Sequence, residues 1–362
     1  MTARLDRLRD RMAETGTELL ALGPGAHMQW LLGFHPHADE RPCLLLVGPE
    51  GEAFLMPKLN AASAAERTSL PMHCWADDEG PGAALASALL AVGGARARTV
   101  ALDETMRLDF GILLLDRLPG AARTFSEDTV GRLRMSKDAS ELAALRAEAA
   151  IADAALEAAW AQMRPGMTEA QVADVVQASF AGAGARTLFA IIGAGRNGAF
   201  PHHATGGTVL RDGDAVVMDI GGSKGGMSSD VTRMAVMGRM PEGYAEVHAV
   251  VEAAVQAAMA AARPGVRAHV VDDAARGVIV AAGYGDHFLH RTGHGLGVEV
   301  HEPPYLTSVS ETVLVEGAVF SIEPGIYLPD RFGIRLEEIV HLTRDGPEVL
   351  SSLPRDARVV GA

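Results

Sequence analysis

The chain has 362 residues, 48% of them hydrophobic and 22% charged, the balance of a globular protein long enough for two domains. A formal net charge of −14 excludes a surface built to attract nucleic acid or anionic membrane. Its two cysteines, Cys43 and Cys74, exclude a disulfide framework or a cysteine-based zinc site, and both read as small buried hydrophobes.

The opening stretch MTARLDRLRDRMAETG patterns as a charged helix, with Leu5, Leu8 and Met12 at helical spacing and no apolar core of signal-peptide length. Apolar runs elsewhere stop short of the roughly 18 residues a membrane span needs, so the expected location is cytoplasmic, with no membrane partner. ELLALG, CLLLVG and TVALD read as short buried strands between helix-like pieces, an alternation that predicts a small α/β domain. The acidic stretch Ala76 to Pro81 is a loop. A domain boundary falls near Glu127 to Lys137, giving an N-terminal domain over 1–132 and a second over 133–362.

The second domain opens on a helix from Ala139 to Met163, with Leu142, Leu145 and Ala149 at helical spacing, stopped by Arg164-Pro165-Gly166. Thr168-Glu169-Ala170-Gln171 has the form of a capping box starting another helix. An alanine-rich helix from Tyr244 to Ala262 stops at a second Arg-Pro-Gly, residues 263 to 265, so the two units suggest an internal duplication. The remaining C-terminal segments read as strands and glycine loops, which makes the second domain α+β.

Two acid-bearing hairpins stand out. DAVVMDIGG and MSSDVTRMAVMG flank SKGG, and a tip at Lys224–Gly225 sets Asp219 opposite Asp230, with Cβ atoms about 4.5–5.5 Å apart. Glu323 in FSIEPG and Glu337 in GIRLEE flank YLPDRFG, with a tip at Asp330. Carboxylates that close repel one another unless a cation lies between them. Four carboxylates plus one imidazole would ligate two divalent ions about 3.5–4 Å apart. The imidazole comes from HRTGHGLGVEVHEPP, where His290 and His294 are four apart. Gly293 and Gly295 argue against a zinc-binding helix there and for a loop whose backbone approaches a ligand closely.

PHHATGGTVLRDGDAVVMDIG, SSDVTRM, HRTGHGLGVEVHEPP, FSIEPGIY and GIRLEEIV, in this order, resemble the pita-bread metallopeptidases, the superfamily of prolidase, aminopeptidase P and methionine aminopeptidase. The resemblance implies a pita-bread catalytic domain and a hydroxide nucleophile held between two metal ions. It implies that Asp219 holds one metal, that Asp230 and Glu337 bridge, and that His294 and Glu323 hold the other, with Glu323 also shuttling the proton. His202, seventeen residues before Asp219, takes the position of a substrate-side histidine. His301 would hydrogen-bond the scissile carbonyl and its oxyanion, His290 would line the pocket after the cleaved bond, and Arg335 would orient carboxylates or the intermediate. The carboxylate-rich ligand set suits Mn²⁺, with Zn²⁺ or Co²⁺ as alternatives.

WLLGF, residues 30 to 34, more loosely resembles a motif of the creatinase-type N-terminal domain. In the HPHADERP segment after it, His35, His37 and Arg41 either reach a neighbouring active site across a homodimer or form an exposed loop. Methionine aminopeptidases usually lack such a domain, and creatinase and the non-catalytic pita-bread binding modules lack the ligands. The expected activity is therefore hydrolysis of short proline-containing peptides, as a prolidase on Xaa-Pro dipeptides. The alternative is an aminopeptidase P on longer Xaa-Pro peptides.

Overall fold

The structure is a computed structural model describing residues 2–361, and the chain separates into two compact units, Met1–Arg134 and Met135–Ala362. Among the described residues no helix is long and apolar enough to cross a membrane.

The first unit is built on a six-stranded sheet. Its order is Met72–Trp75, Gly51–Pro57, Leu44–Gly48, Leu19–Leu22, Thr99–Leu102, Ala122–Phe125. Leu19–Leu22 and Leu44–Gly48 are buried at every position, as continuous apolar strands covered on both faces must be. The three strands read from ELLALG, CLLLVG and TVALD are present, yet the sheet is mixed rather than a run of parallel βαβ units. Leu44–Gly48 turns straight back into Gly51–Pro57, because the intervening Pro49–Glu50 is far too short for a parallel crossover. Cys43 is buried as expected, whereas Cys74 is exposed. His35 and His37 are exposed in the coil after helix Ala26–Leu32, and Arg41 is held by Asp77 at 3.0 Å and by Asp39 at 3.2 Å.

The second unit repeats one arrangement twice. Helix Ala139–Gln162 leads through Arg164-Pro165-Gly166 into helix Glu169–Gly182, and helix Tyr244–Ala261 leads through Arg263-Pro264-Gly265 into helix Ala268–Ala281. Gly166 and Gly265 take φ of 92° and 93°, a conformation that a side chain would strain. Their amides donate to Leu210 and Leu314 carbonyls at 3.0 and 2.8 Å, so the two halves also share a backbone bonding pattern. Helix Ala268–Ala281 departs from the expectation of strands and glycine loops. Its valines and Gly277 are poor helix formers, but Ala268, Val271, Asp272, Ala275 and Ile279 are buried at helical spacing, and packing overrides propensity. The capping box at Thr168 and Gln171 forms, as does one at Asp138 and Glu141.

Two sheets carry the acidic hairpins. One runs Arg358–Val360, Val231–Met237, Ala215–Lys224, Arg186–Ala194, and the other Glu302–Leu306, Gly293–Gly295, Val319–Ile322, Glu338–Thr343, Gly346–Val349. In the first hairpin Asp219 pairs with Thr232, not Asp230. The expected register is off by two because the tip is Gly225–Gly226, whose φ of 64° and 86° make the two-residue turn that hairpins favour. A two-residue shift keeps side chains on the same face, so Asp219 and Asp230 are diagonal neighbours instead of direct partners. The second hairpin forms as expected around Asp330. Ile322 pairs with Glu338 and Gly325 with Arg335, which leaves Glu323 facing Glu337 between the two paired stretches.

Arg233 joins the hairpins from beneath. Fully buried, it donates to both oxygens of Glu338 at 3.0 Å, to the Leu353 carbonyl at 2.9 Å and to the Glu337 carbonyl. The backbone that carries Glu337 is thereby fixed against strand Val231–Met237, which begins directly after Asp230.

Candidate metal centre

The two hairpins and the strand Gly293–Gly295 bring Asp219, Asp230, His294, Glu323 and Glu337 together, and all of these but Glu337 line one cavity. Asp219, Asp230 and Glu337 offer ligand atoms within 4.8 Å of one another, and so do His294, Glu323 and Glu337. The two groups share Glu337. His294 Nε2 lies 3.1 Å from Glu323 Oε1 and 3.6 Å from Asp230 Oδ2. Its Nδ1 donates to the Gly295 carbonyl at 3.1 Å, which turns Nε2 toward the acids.

The glycines beside His294 serve a different purpose from the one their density suggested. A Cβ on Gly293 would sit 1.9 Å from the Ser321 carbonyl oxygen, and one on Gly295 would sit 2.2 Å from that of Pro303. They let a short strand slot between two neighbours; the close approach is to protein backbone rather than to a ligand.

Acids this crowded distort one another. Burial first, then the charges of Glu337, Asp219 and Glu323, push the Asp230 carboxyl well above its usual range. Glu337 is raised well above its usual range by burial and by Glu323 and Asp219, and Asp219 is raised by burial against the pull of Arg335. Glu323 goes the other way. Burial would raise it, but the hydrogen bond and charge of His294, with His290 and Arg335, bring it down to about 2. Glu337 Oε2 accepts from Thr232 Oγ1 at 2.8 Å, while its buried Oε1 has no hydrogen-bond partner. An orphaned carboxylate oxygen among mutually repelling acids is what divalent cations would satisfy, and four carboxylates with one imidazole are a hard, oxygen-rich donor set. The residues fit such ions.

Around this cluster the other expected residues take distinct places. Arg335 contacts Asp219 through Nη2, Thr232 Oγ1 at 3.0 Å through Nε and the Tyr327 hydroxyl at 2.8 Å through Nη1. His290 Nδ1 donates to the Arg291 carbonyl at 2.8 Å, so Nε2 accepts from Tyr327 Oη at 2.7 Å. Burial lowers His290 to about 4. His301 lies with its ring 4.0 Å from that of His294, and burial, then the His294 and Arg291 charges, lower it to about 4, so it is neutral at pH 7. His202 faces the cavity, whereas His203 is tied to the buried Glu169 at 2.9 Å. The cavity measures about 620 Å³, with Phe189, Ile191 and Val300 as apolar wall beside these polar groups.

Tyr327 and Thr232 are site residues that motif spacing alone does not single out. The signal is nevertheless there: residues two apart share a strand face, so Tyr327 lies with Glu323, and Arg335 with Glu337. Gly325 has no side chain because the Tyr327 phenol folds back over it, 2.6 Å from where a Cβ would stand. Burial pushes the Tyr327 hydroxyl up to about 12, so it stays protonated and can donate to His290 while accepting from Arg335.

Comparison with known proteins shows the family of the chain. The family described as metallopeptidase family M24 matches residues 143–344, and the creatinase/prolidase N-terminal domain matches residues 4–136. The chain is 39% identical over 355 residues to the probable dipeptidase PepE of Mycobacterium tuberculosis, covering 96% of this chain and 93% of that one. It is 30% identical to the Xaa-Pro dipeptidase of Lactobacillus delbrueckii subsp. lactis, with 98% of each covered. The crystal structure of dipeptidase PepE from Mycobacterium ulcerans superposes with a TM-score of 0.93 at 36% identity, covering 99% of this chain and 97% of that one.

Proposed function

The chain belongs to metallopeptidase family M24, a peptidase with a creatinase-type N-terminal domain and a pita-bread catalytic domain, and on that premise we propose that it is a dinuclear-metal Xaa-Pro dipeptidase. The observation that carries the reading is the pair of ligand groups sharing Glu337, with Asp219 and Asp230 on one side and His294 and Glu323 on the other. Asp219, Asp230 and Glu337 would hold one ion, and His294, Glu323 and Glu337 would hold the other. Mn²⁺ suits the donors best, and Zn²⁺ or Co²⁺ would also bind. When bound, such ions lower the pKa of water toward neutrality and polarise a carbonyl.

The chain's own groups do the rest. Glu323, held unprotonated, accepts a proton from the attacking water and returns it to the prolyl nitrogen as that nitrogen leaves. His301, neutral at working pH, donates to the oxyanion that develops on the scissile carbonyl. His202 holds the substrate from the opposite wall, and His290 lines the space for the prolyl ring. Arg335, pinned by Tyr327 and Thr232, keeps Asp219 in place. The enzyme acts as a cytoplasmic homodimer on short proline-containing peptides.

The dipeptidase reading draws on the relatives named for dipeptidase activity and on the short Glu323–Glu337 hairpin. Steady-state kinetics on an Xaa-Pro dipeptide and its tripeptide extension test it. The expected result is a higher kcat/KM for the dipeptide; a clear preference for the tripeptide would make the chain an aminopeptidase P instead.

A further inference from the structure

Two arginines line the cavity, and only one is committed. Arg335 is engaged by Asp219, Thr232, Tyr327 and the Pro201 carbonyl. Arg291 has no carboxylate partner among the described residues; its guanidinium lies over the Tyr305 ring, 4.6 Å from the centroid. A guanidinium keeps its charge at any working pH, and stacking on an aromatic face leaves its N–H edge open.

The backbone beneath it is fixed. Arg276 donates to the carbonyls of Phe288 and His290 at 3.3 and 2.9 Å, and Asp272 Oδ1 accepts from the amide and hydroxyl of Thr292 at 3.0 and 2.8 Å. The segment His290–Thr292 therefore presents an unpaired cation from a rigid base, next to the histidine that lines the prolyl side. An Xaa-Pro dipeptide carries its C-terminal carboxylate on that side, on the carbon bonded to the scissile nitrogen. A longer peptide has a neutral carbonyl there instead.

We propose that Arg291 is the specificity residue that recognises the free C-terminal carboxylate of a dipeptide, an inference resting on the dipeptidase reading above. The carboxylate accepts charge-assisted hydrogen bonds from the guanidinium, and a neutral amide at the same position forfeits them. Selection for dipeptides then comes from a charge the substrate must bring, not from a wall that blocks longer chains.

The test compares Ala-Pro, its C-terminal amide and a tripeptide extension in the wild-type holoenzyme and in Arg291→Met. The wild type should favour the acid over the amide. Arg291→Met should raise KM for Ala-Pro by about 10-fold to 100-fold, the loss expected for a charge-assisted hydrogen bond. It should leave the amide little changed, so that the acid–amide preference collapses, while metal content stays at the wild-type level. Arg291→Lys should restore part of the preference, and Arg291→Gln carries the same expectation as methionine should the latter fail to fold. Equal slowing on acid and amide, or an acid–amide preference kept in Arg291→Met, would overturn the proposal while leaving the dipeptidase reading standing. A wild-type preference for the tripeptide would overturn both.

Discussion

Replacing Glu323 by glutamine should lower turnover by roughly 10²–10⁴-fold, the contribution typical of a positioned general acid–base. Glutamine keeps the shape and one carbonyl oxygen but can neither accept the water's proton nor pass it to the leaving nitrogen. The wild-type carboxylate is held low against its own burial, chiefly by the hydrogen bond and charge of His294, so it is ionised at neutral pH, which is the state a base requires. Glu323 is also placed to hold metal, so some loss of affinity accompanies the substitution. The expected signature is turnover falling further than metal content does, read by kinetics beside elemental analysis at saturating metal. A variant with near-wild-type turnover and bound metal would remove Glu323 from the role.

His301→Ala should reduce turnover by about 10²–10³-fold, the cost of losing one oxyanion donor, and should keep the metal ions and the fold. The ring is exposed to the cavity beside His294 and held neutral, so its N–H is free to donate where charge develops. His202→Ala gives the contrast. A group that contacts substrate mainly in the ground state raises KM when removed and changes turnover less. Metal analysis separates both cases from damage to the centre, and loss of an ion in either variant would mean that one of these histidines is a ligand. That question is pointed, because His301 stands close enough to Asp230 and His294 to complete a third group of possible ligands.

Much of this arrangement is legible in the chain because strands impose a period of two. Once Asp219, Asp230, Glu323 and Glu337 are placed on hairpins, parity alone sends them to common faces, and the register error at Gly225–Gly226 does no harm because it is an even number of residues. The same parity points to Tyr327, which lies four residues past Glu323 on the continuing face. Helix Ala268–Ala281 is not legible, since its sequence is β-branched and glycine-containing and its helicity comes from burial against the rest of the second unit. Nor can spacing say what Gly293 and Gly295 avoid, because the clashing carbonyls of Ser321 and Pro303 belong to neighbouring strands that only the fold brings alongside. Arg291 is hidden for a similar reason: only the fold shows that it lines the cavity without an acid beside it.

In the proposed mechanism five side chains hold two divalent cations on which peptide hydrolysis depends. The most direct test strips the protein with a chelator and titrates Mn²⁺ back. Bound metal per chain, by inductively coupled plasma mass spectrometry, is followed together with Ala-Pro hydrolysis. Activity should vanish in the metal-free protein and return in full as occupancy reaches two ions per chain, in keeping with two ligand groups that share Glu337. Full activity without metal, or saturation of activity and binding at a single ion, would contradict it.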